Sequence, residues 1–374
     1  MTPVKDIDDT PSKSKGRPKG TVKKKGFKGT PKKLFNAAKS SNTMIARDRL
    51  VGLTNNSNVC FFNSVMQSLF SLQSFRNHVI SFTQTESDAV NNIKDLFESM
   101  ETSDNLIRTH ECVQSLPMPG YAENHQFDAQ ECMGCITNLF YPRVDDKNDP
   151  MHNMLPNDCL FGISGEESIL CYGCNEHFNK PYRTALCQIE FPEPDVQTSI
   201  QLKIEGLTHD SYGQMMDELY DCSQCKPNRT LATRNVTMMN VEKYLAIQLK
   251  IFKFDRNTQQ PSKIVPNIFI DPEFTNELLG TFKLRAIVYH SGNSSNVGHY
   301  KSSVKYNNTM YTISDGDTNA NVDFDDTPYI VIYEKDYHVS NNALSVPVPQ
   351  ETSETIENEH PMDISNVSTL KMKR

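Results

Sequence analysis

The chain has 374 residues, of which 37% are hydrophobic and 22% charged, so it can form one large domain or two ordinary ones around a substantial core. No apolar run approaches the roughly 18 residues of a membrane span, and the N-terminus lacks an apolar signal segment, so we expect neither a membrane protein nor a secreted one. Ten cysteines in a non-secreted chain indicate thiols, metal ligands or catalysis rather than disulfides.

The charge is divided unevenly along the chain. Residues 1–50 carry 14 Lys or Arg and 4 Asp or Glu, whereas the remaining residues carry 24 basic and 42 acidic side chains. A segment so basic repels itself and buries little apolar surface, so we predict a disordered arm over residues 1–47. Lys15–Gly20 resembles the core of an AT-hook, and the lysine runs at 23–25 and 32–33 are typical of nuclear import. We expect a nuclear or nucleocytoplasmic protein; DNA binding by the arm and a merely solubilising arm both remain open.

The first informative segment is Gly52–Ser64. Small and amide residues precede Cys60, and apolar residues then recur at helical spacing, at Phe62, Met66, Leu69 and Phe70. A thiol at a helix N-terminus is favoured as thiolate, which suits a nucleophile. Asn55 lies in the preceding loop, where its amide could donate to an oxyanion. The alternative is a buried structural Cys60 and a turn residue at Asn55.

A second helix is predicted over residues 128–140, because Asp128 and Glu131 have capping-box spacing. From about residue 241 the pattern changes to strands, namely Tyr244–Leu249, Phe282–Tyr289, Tyr300–Tyr306, Met310–Ile313 and Tyr329–Tyr333. A helical first part followed by a strand-rich second part predicts an α+β fold.

Two CxxC pairs lie between these parts, and they consist of Cys171 with Cys174 and of Cys222 with Cys225. Each pair can present two thiolates on a tight turn, and two facing turns form a tetrahedral, structural zinc site. The alternatives are two reduced turns or a redox motif, which here lacks a βαβ context. His177 and Cys187 are nearby substitute ligands.

Among the ten histidines, His299 stands out because it begins a predicted strand after the polar loop 291–296. The alternative is an ordinary histidine at the end of a strand. A two-residue hairpin turn at Asn307-Asn308 makes Tyr306 face Thr309, so that His299 faces Gly316. Strand alternation then puts Ser314 on the face of His299 and Asp315 on the other. Ser314 is therefore the first choice for orienting the imidazole. Asp315 is the stronger partner chemically, and a β-bulge could exchange the two.

Together these segments resemble the ubiquitin-specific protease family of papain-like cysteine peptidases. Gly52–Ser64 is similar to its Cys box and Val297–Asp315 to its His box. Gln126–Glu131, Tyr244–Phe252 and Tyr329–Tyr333 resemble three further motifs in the family's order.

The composition of residues 337–374, rich in Asn, Ser, Thr, Glu and Pro, predicts a disordered tail. The resemblance implies a thumb–palm–fingers catalytic domain over residues 48–336, with the fingers at about 160–240. It also implies hydrolysis of the bond after the C-terminal glycine of ubiquitin. Cys60 would be the nucleophile, His299 the base and Asn55 the oxyanion donor. Ser314 would take the third triad position, and Asp315 the acidic position after it. In the family, two CxxC knuckles cap the finger strands.

The sequence departs from the family pattern at three places. Ser57-Asn58-Val59 replaces Gly-Asn-Thr before the nucleophile, Met310 replaces a Trp, and Ser314 replaces the usual Asp or Asn. A hydroxyl orients imidazole more weakly than a carboxylate does, so we expect a slower enzyme. The alternative is a catalytically weak or inactive ubiquitin-binding module with a DNA-associating basic arm.

Overall fold

A computed structural model describes residues 50–83, 86–123, 125–143, 154–209, 214–216, 218–255, 260–294 and 297–337. The predicted basic arm and, apart from Tyr337, the predicted C-terminal tail lie outside these described residues. The described part has an α+β fold, in which helices come first along the chain and the strands of a large, mostly antiparallel sheet come last.

The helical part, here called the thumb, contains five helices. They are α1 (Cys60–Ser71), α2 (Gln73–Ser81), α3 (Asp88–Thr102), α4 (His110–Ser115) and α5 (Ala129–Phe140). All twelve residues of α1 are buried, which makes it the central helix of the thumb. Asp128 begins α5 as its N-cap by accepting from the backbone N–H groups of Gln130 and Glu131.

The palm is a seven-stranded sheet that carries the second half of the chain. Its order is β14-β13-β12-β15-β7-β3, with β11 pairing β12. The strands are β3 (Cys187–Ile189), β7 (Tyr244–Leu249), β11 (Glu273–Asn276), β12 (Gly280–Ser294), β13 (Val297–Tyr306), β14 (Thr309–Ile313) and β15 (Thr327–Asp336). The thumb and the palm meet where α1 packs on β12 and β13.

A four-stranded sheet, here called the fingers, has the order β2-β1-β6-β5. Its strands are β1 (Ile163–Cys171), β2 (His177–Thr184), β5 (Gln214–Met215) and β6 (Ala232–Val241). The smaller elements are β4 (Thr198–Ser199) with β10 (Ile268–Phe269), β8 (Phe252–Asp255) with β9 (Gln260–Lys263), and α6 (Ile200–Thr208).

The core between thumb and palm is built from aromatic rings. Phe75 lies edge-to-face against Phe97, Phe140 and Phe161, at centroid distances between 5.3 and 6.2 Å. Phe161 in turn contacts Tyr244, whose hydroxyl accepts from the backbone N–H of Ser74 at 3.0 Å. These contacts fix the helices on the sheet that carries the histidine of the candidate site.

The predicted helices at Cys60 and at 128–140 are confirmed, and each of the five predicted strands lies within a strand of the palm. The polar loop predicted at 291–296 is wrong in part, because β12 continues to Ser294 and pairs across a bulge with β13. Within the described ranges, no helix combines the length and the apolar character needed to cross a membrane.

Candidate active site

Cys60 is the first residue of α1, and the loop before it is fixed by side-chain contacts. Asn55 Oδ1 accepts from the backbone N–H of Val59 at 2.9 Å, which orders the turn that leads into the helix. Cys60 is 1% exposed, and its sulfur lies 3.9 Å from Nε2 of Gln126. Burial raises the pKa of Cys60 to about 11; the backbone of Tyr300 lowers this pKa by a smaller amount, and the charge of Asp315 raises it. In this state desolvation therefore outweighs the expected effect of the helix N-terminus.

His299 lies near the start of β13. Its Nε2 is 2.8 Å from the hydroxyl oxygen of Ser314, on the neighbouring strand's end. The same Nε2 is 3.9 Å from Oδ2 of Asp315. Both sequence candidates for the third position therefore lie near the imidazole, and only Ser314 lies within hydrogen-bonding distance.

The hairpin register predicted from Asn307-Asn308 is confirmed over part of its length. Pairs run from Tyr306–Thr309 to Ser302–Ile313. The predicted pairing of His299 with Gly316 is wrong, because the ladder ends after Ile313. Ser314 instead pairs with Asp317 through two backbone hydrogen bonds of 2.8 and 2.9 Å, which close a tight turn.

Asp315 occupies that turn with a φ of +52°, a left-handed conformation that Asp tolerates better than most residues. Its carboxylate accepts from Asn55 Nδ2 at 2.9 Å and from Asn63 Nδ2 at 2.7 Å. Its backbone carbonyl accepts from the N–H of Leu53 at 3.0 Å. Asp315 thus connects the loop before the nucleophile, and α1 itself, to the end of β14.

Sequence reasoning did not assign Asn63 a role. The available signal was an amide within a helix that is otherwise rich in apolar residues, and its side chain is 1% exposed. A buried amide requires hydrogen-bond partners, which here are Asp315 and the backbone carbonyl of Thr54 at 3.0 Å.

Gln126, also unassigned beyond its motif, contacts the strand just before His299. Its Oε1 accepts from the backbone N–H of Gly298 at 2.8 Å, and its Nε2 donates to the carbonyl of the same residue. The same Nε2 lies 3.9 Å from Cys60 Sγ. The side chain therefore bridges Cys60 and the strand that carries His299.

A buried polar chain connects α5 to the palm behind this site. Asp128 Oδ1 accepts from the backbone N–H of Gln130 at 2.7 Å, while Oδ2 accepts from the hydroxyl of Tyr329 at 2.6 Å. Gln248 donates to the same hydroxyl at 2.9 Å. Because Asp128 is both helix cap and acceptor, it fixes the distance between α5 and the palm strands.

His290 lies beneath Gly298 and is fully buried, with Phe252 and Tyr300 against its ring at centroid distances of 5.1 and 4.9 Å. Within the part of the chain that the structure describes, neither ring nitrogen has a hydrogen-bond partner. Burial, followed by the charges of Lys263 and His299, lowers the pKa of His290 to about 4. The ring is therefore neutral at physiological pH.

The four cysteines of the CxxC pairs come together on the fingers, with their sulfur atoms all within 4.8 Å of one another. Cys171 and Cys225 are 3.8 Å apart, and Cys174 and Cys222 are 3.7 Å apart. Among the described residues, neither His177 nor Cys187 joins this group. The cluster could hold a metal ion through four thiolates.

A buried cysteine at the start of the central thumb helix and a histidine on β13, connected through Gln126, form the arrangement of a papain-like cysteine peptidase domain. A family model described as "Ubiquitin carboxyl-terminal hydrolase" matches residues 51–333. The chain belongs to this family.

Several curated proteins are similar to the chain. Ubiquitin carboxyl-terminal hydrolase 48 of Danio rerio is 24% identical over 368 residues, which cover 85% of this chain and 33% of that protein. Ubiquitin carboxyl-terminal hydrolase 1 of Arabidopsis thaliana is 28% identical over 167 residues, covering 39% of this chain and 15% of the relative. Ubiquitin carboxyl-terminal hydrolase 46 of Caenorhabditis elegans is 22% identical over 343 residues, covering 73% and 79%. The chain thus spans about a third or less of the first two relatives.

Proposed function

We propose that the chain is a cysteine-type deubiquitinase that hydrolyses the bond after the C-terminal glycine of ubiquitin. The observation that carries the proposal is the position of the Gln126 side chain, whose Nε2 lies 3.9 Å from Cys60 Sγ and whose Oε1 accepts from the backbone N–H of Gly298 at 2.8 Å. Because Gly298 precedes His299 on β13, this side chain connects the candidate base and the candidate nucleophile in one site.

In this reaction His299 takes the proton of the Cys60 thiol, and the thiolate attacks the carbonyl of the ubiquitin glycine. Nε2 of His299 is held by Ser314 at 2.8 Å, so Nδ1 is the nitrogen left for the thiol proton. The imidazolium that forms is stabilised by the carboxylate of Asp315 at 3.9 Å. It then protonates the leaving amine, and water hydrolyses the thioester.

Asn55 is the proposed oxyanion donor. Its Nδ2 carries two hydrogens, and one of them is used in the 2.9 Å bond to Asp315. The bond to Asp315 and the bond from Val59 to Oδ1 fix the plane of the amide, which leaves the second hydrogen for the developing negative charge.

The charge of the chain supports a ubiquitin substrate. Residues 51–374 carry 42 acidic and 24 basic side chains, whereas the tail of ubiquitin is basic near its terminus. Complementary charge of this kind accelerates encounter more than it strengthens the complex.

A ubiquitin probe with a C-terminal vinyl electrophile tests the proposal. The full chain should form one adduct, mapped to Cys60 by mass spectrometry, and Cys60→Ala should form none while keeping its fold. A well-folded wild-type chain that forms no adduct at Cys60 would sink the enzyme hypothesis.

The second candidate is a catalytically weak or inactive ubiquitin-binding module of the same fold. It is favoured by the burial of Cys60, by its raised pKa and by a hydroxyl at the third position. Calorimetry with free ubiquitin, combined with the probe assay, separates the two candidates. An inactive module binds ubiquitin but neither forms the adduct nor cleaves a ubiquitin fluorophore.

We also propose that the cysteine cluster binds structural zinc. Tetrahedral zinc with Zn–S bonds of about 2.3 Å requires sulfur atoms roughly 3.8 Å apart. The distances of 3.8 Å for Cys171–Cys225 and 3.7 Å for Cys174–Cys222 fit this requirement. When bound, the ion would connect the β1 end to the segment before β6, and four protein ligands would leave it no open position for chemistry.

The basic arm of residues 1–47 is proposed to direct nuclear import, with DNA binding as a further candidate role. Its eleven Lys and Arg between Thr10 and Ser40, without an acid, support both roles. Deleting residues 1–47 should move a fluorescent fusion out of the nucleus, and a salt-dependent DNA shift lost on the same deletion would add DNA binding.

A further inference from the structure

The contact between Gln126 and Gly298 resembles the pairing of two peptide groups. A carboxamide has the donor and the acceptor of a peptide bond, and Gln126 uses both on one residue. Oε1 accepts from the Gly298 N–H at 2.8 Å, and Nε2 donates to the Gly298 carbonyl. Gly298 thus receives from a side chain the two bonds that an extended peptide would give it.

The contact lies at the nucleophile. Gln126 Nε2 is 3.9 Å from Cys60 Sγ, and the cysteine is 1% exposed. A scissile carbonyl has to approach the sulfur to about 3–3.5 Å before attack. The carboxamide therefore occupies space that a substrate peptide needs.

The opposite side of Gly298 is closed. A Cβ at Gly298 would lie 2.2 Å from the carbonyl oxygen of Ser291 and 2.3 Å from Nε2 of His290. Because Gly298 packs this closely against Ser291 and His290, we infer that the Gln126 side chain, rather than the strand, moves when a peptide enters.

We propose that the Gln126 carboxamide takes the place of a peptide group of the substrate and has to leave Gly298 when the C-terminal residues of ubiquitin enter. This step rests on the proposed function. In the free protein Gln126 covers Cys60; in the complex the substrate backbone makes the two hydrogen bonds to Gly298. Two neutral hydrogen bonds bias the free protein toward the covered state by about tenfold to a hundredfold.

The first test measures access to Cys60 and needs no ubiquitin. Iodoacetamide at pH 8 is applied to the full chain, and Cys60 alkylation is followed by peptide mass spectrometry, since nine further cysteines are present. Gln126→Ala and Gln126→Met should both react at least about tenfold faster than wild type. Met keeps the length of the side chain without its hydrogen bonds, and Gln130→Ala on α5 is the matched control, expected to react at the wild-type rate.

Each outcome decides the proposal. Faster alkylation in both variants supports it. Alkylation of Cys60 at the wild-type rate in both variants, or in Gln126→Met alone, overturns the proposal. In either case hydrogen bonds do not hold the Gln126 side chain over Cys60. Circular dichroism verifies the fold of each variant before alkylation.

The second test measures kcat and KM separately with a ubiquitin–fluorophore substrate. Removing an internal competitor should lower KM in Gln126→Met about tenfold, whether or not kcat changes. A KM that rises instead makes Gln126 a direct ligand of the substrate and overturns the stand-in role. If the wild type cleaves no ubiquitin substrate, the proposed function fails, and the alkylation result still decides whether Gln126 covers the thiol.

Discussion

Asn55 donates from Nδ2 to Oδ2 of Asp315 at 2.9 Å, across 260 residues of sequence. Ser314 and Asp315, the two candidates for the third triad position, make different contacts. Ser314 holds the imidazole of His299, whereas Asp315 holds the amides of Asn55 and Asn63. We infer that the hydroxyl orients the base and that the carboxylate orders the loop of the nucleophile.

Replacing Ser314 by Ala should lower kcat/KM about tenfold, because the imidazole loses one neutral hydrogen bond that fixes its orientation. Ser314→Asn keeps an acceptor and a donor, so it should stay within about threefold of wild type. Steady-state cleavage of a ubiquitin fluorophore measures both variants. Unchanged kcat/KM in Ser314→Ala would show that the 2.8 Å contact does not orient the base.

Replacing Asp315 by Ala should affect stability as well as rate. Two side-chain amides lose their acceptor, and Ala tolerates a φ of +52° poorly, so the free energy of unfolding should fall by about 2–3 kcal/mol. The rate should fall about a hundredfold, since Asn55 is no longer fixed. Denaturant unfolding and kcat/KM test this, with Asp325→Ala as an exposed control. A decrease in kcat/KM that is larger in Ser314→Ala than in Asp315→Ala would contradict the expected order of the two variants.

Alkylation of Cys60 in the free protein should depend steeply on pH. With a pKa of about 11, the thiolate fraction at pH 7 is roughly 10⁻⁴, so the alkylation rate should rise about tenfold per pH unit up to pH 10. The pKa is raised from 9.0, so the stability from the neutral buried thiol is complete below pH 9 and is lost between pH 9 and 11. A rate that levels off below pH 9 contradicts the raised pKa.

Acid should destabilise the fold through His290. Its pKa is lowered from 6.5 to about 4, so between pH 6.5 and about pH 4 the unfolded chain binds a proton that the folded chain does not bind. Stability from the neutral ring is therefore complete above pH 6.5 and decreases toward pH 4, by on the order of 3 kcal/mol. Lys263 and His299 lower this pKa and Asp326 raises it. His290→Gln should flatten the dependence; equal slopes for both proteins would refute the assignment.

Removing zinc should loosen the fingers and spare the palm. Purified protein should contain about one equivalent of zinc, and Cys174→Ser should contain less than half an equivalent with a lower Tm. Cys187→Ser, a buried cysteine outside the cluster, is the matched control and should retain its metal. Metal analysis alongside calorimetry measures both, and a metal-free wild type with an unchanged Tm after chelation would count against the site.

The register of the β13–β14 hairpin shows how much of the strand pairing a local sequence pattern can predict. Asn307-Asn308 and strand alternation correctly paired Tyr306 with Thr309 and put Ser314 beside His299. The extrapolation to Gly316 was wrong, because Ser314 closes a turn with Asp317. Turns of this kind depend on the contacts of Asp315 with Asn55 and Asn63, which are distant in sequence.

The sequence by itself determined the α+β class, the helix that begins at Cys60, the strands of the palm and the pairing of two CxxC motifs, since each depends on short-range periodicity or spacing. Only the tertiary structure decided which neighbour of the hairpin end holds the imidazole, why Asn63 is buried, and that Gln126 bridges Cys60 and Gly298. It also decided that the pKa of the Cys60 thiol is raised, because that pKa depends on burial and on the charge of Asp315, which is distant in sequence.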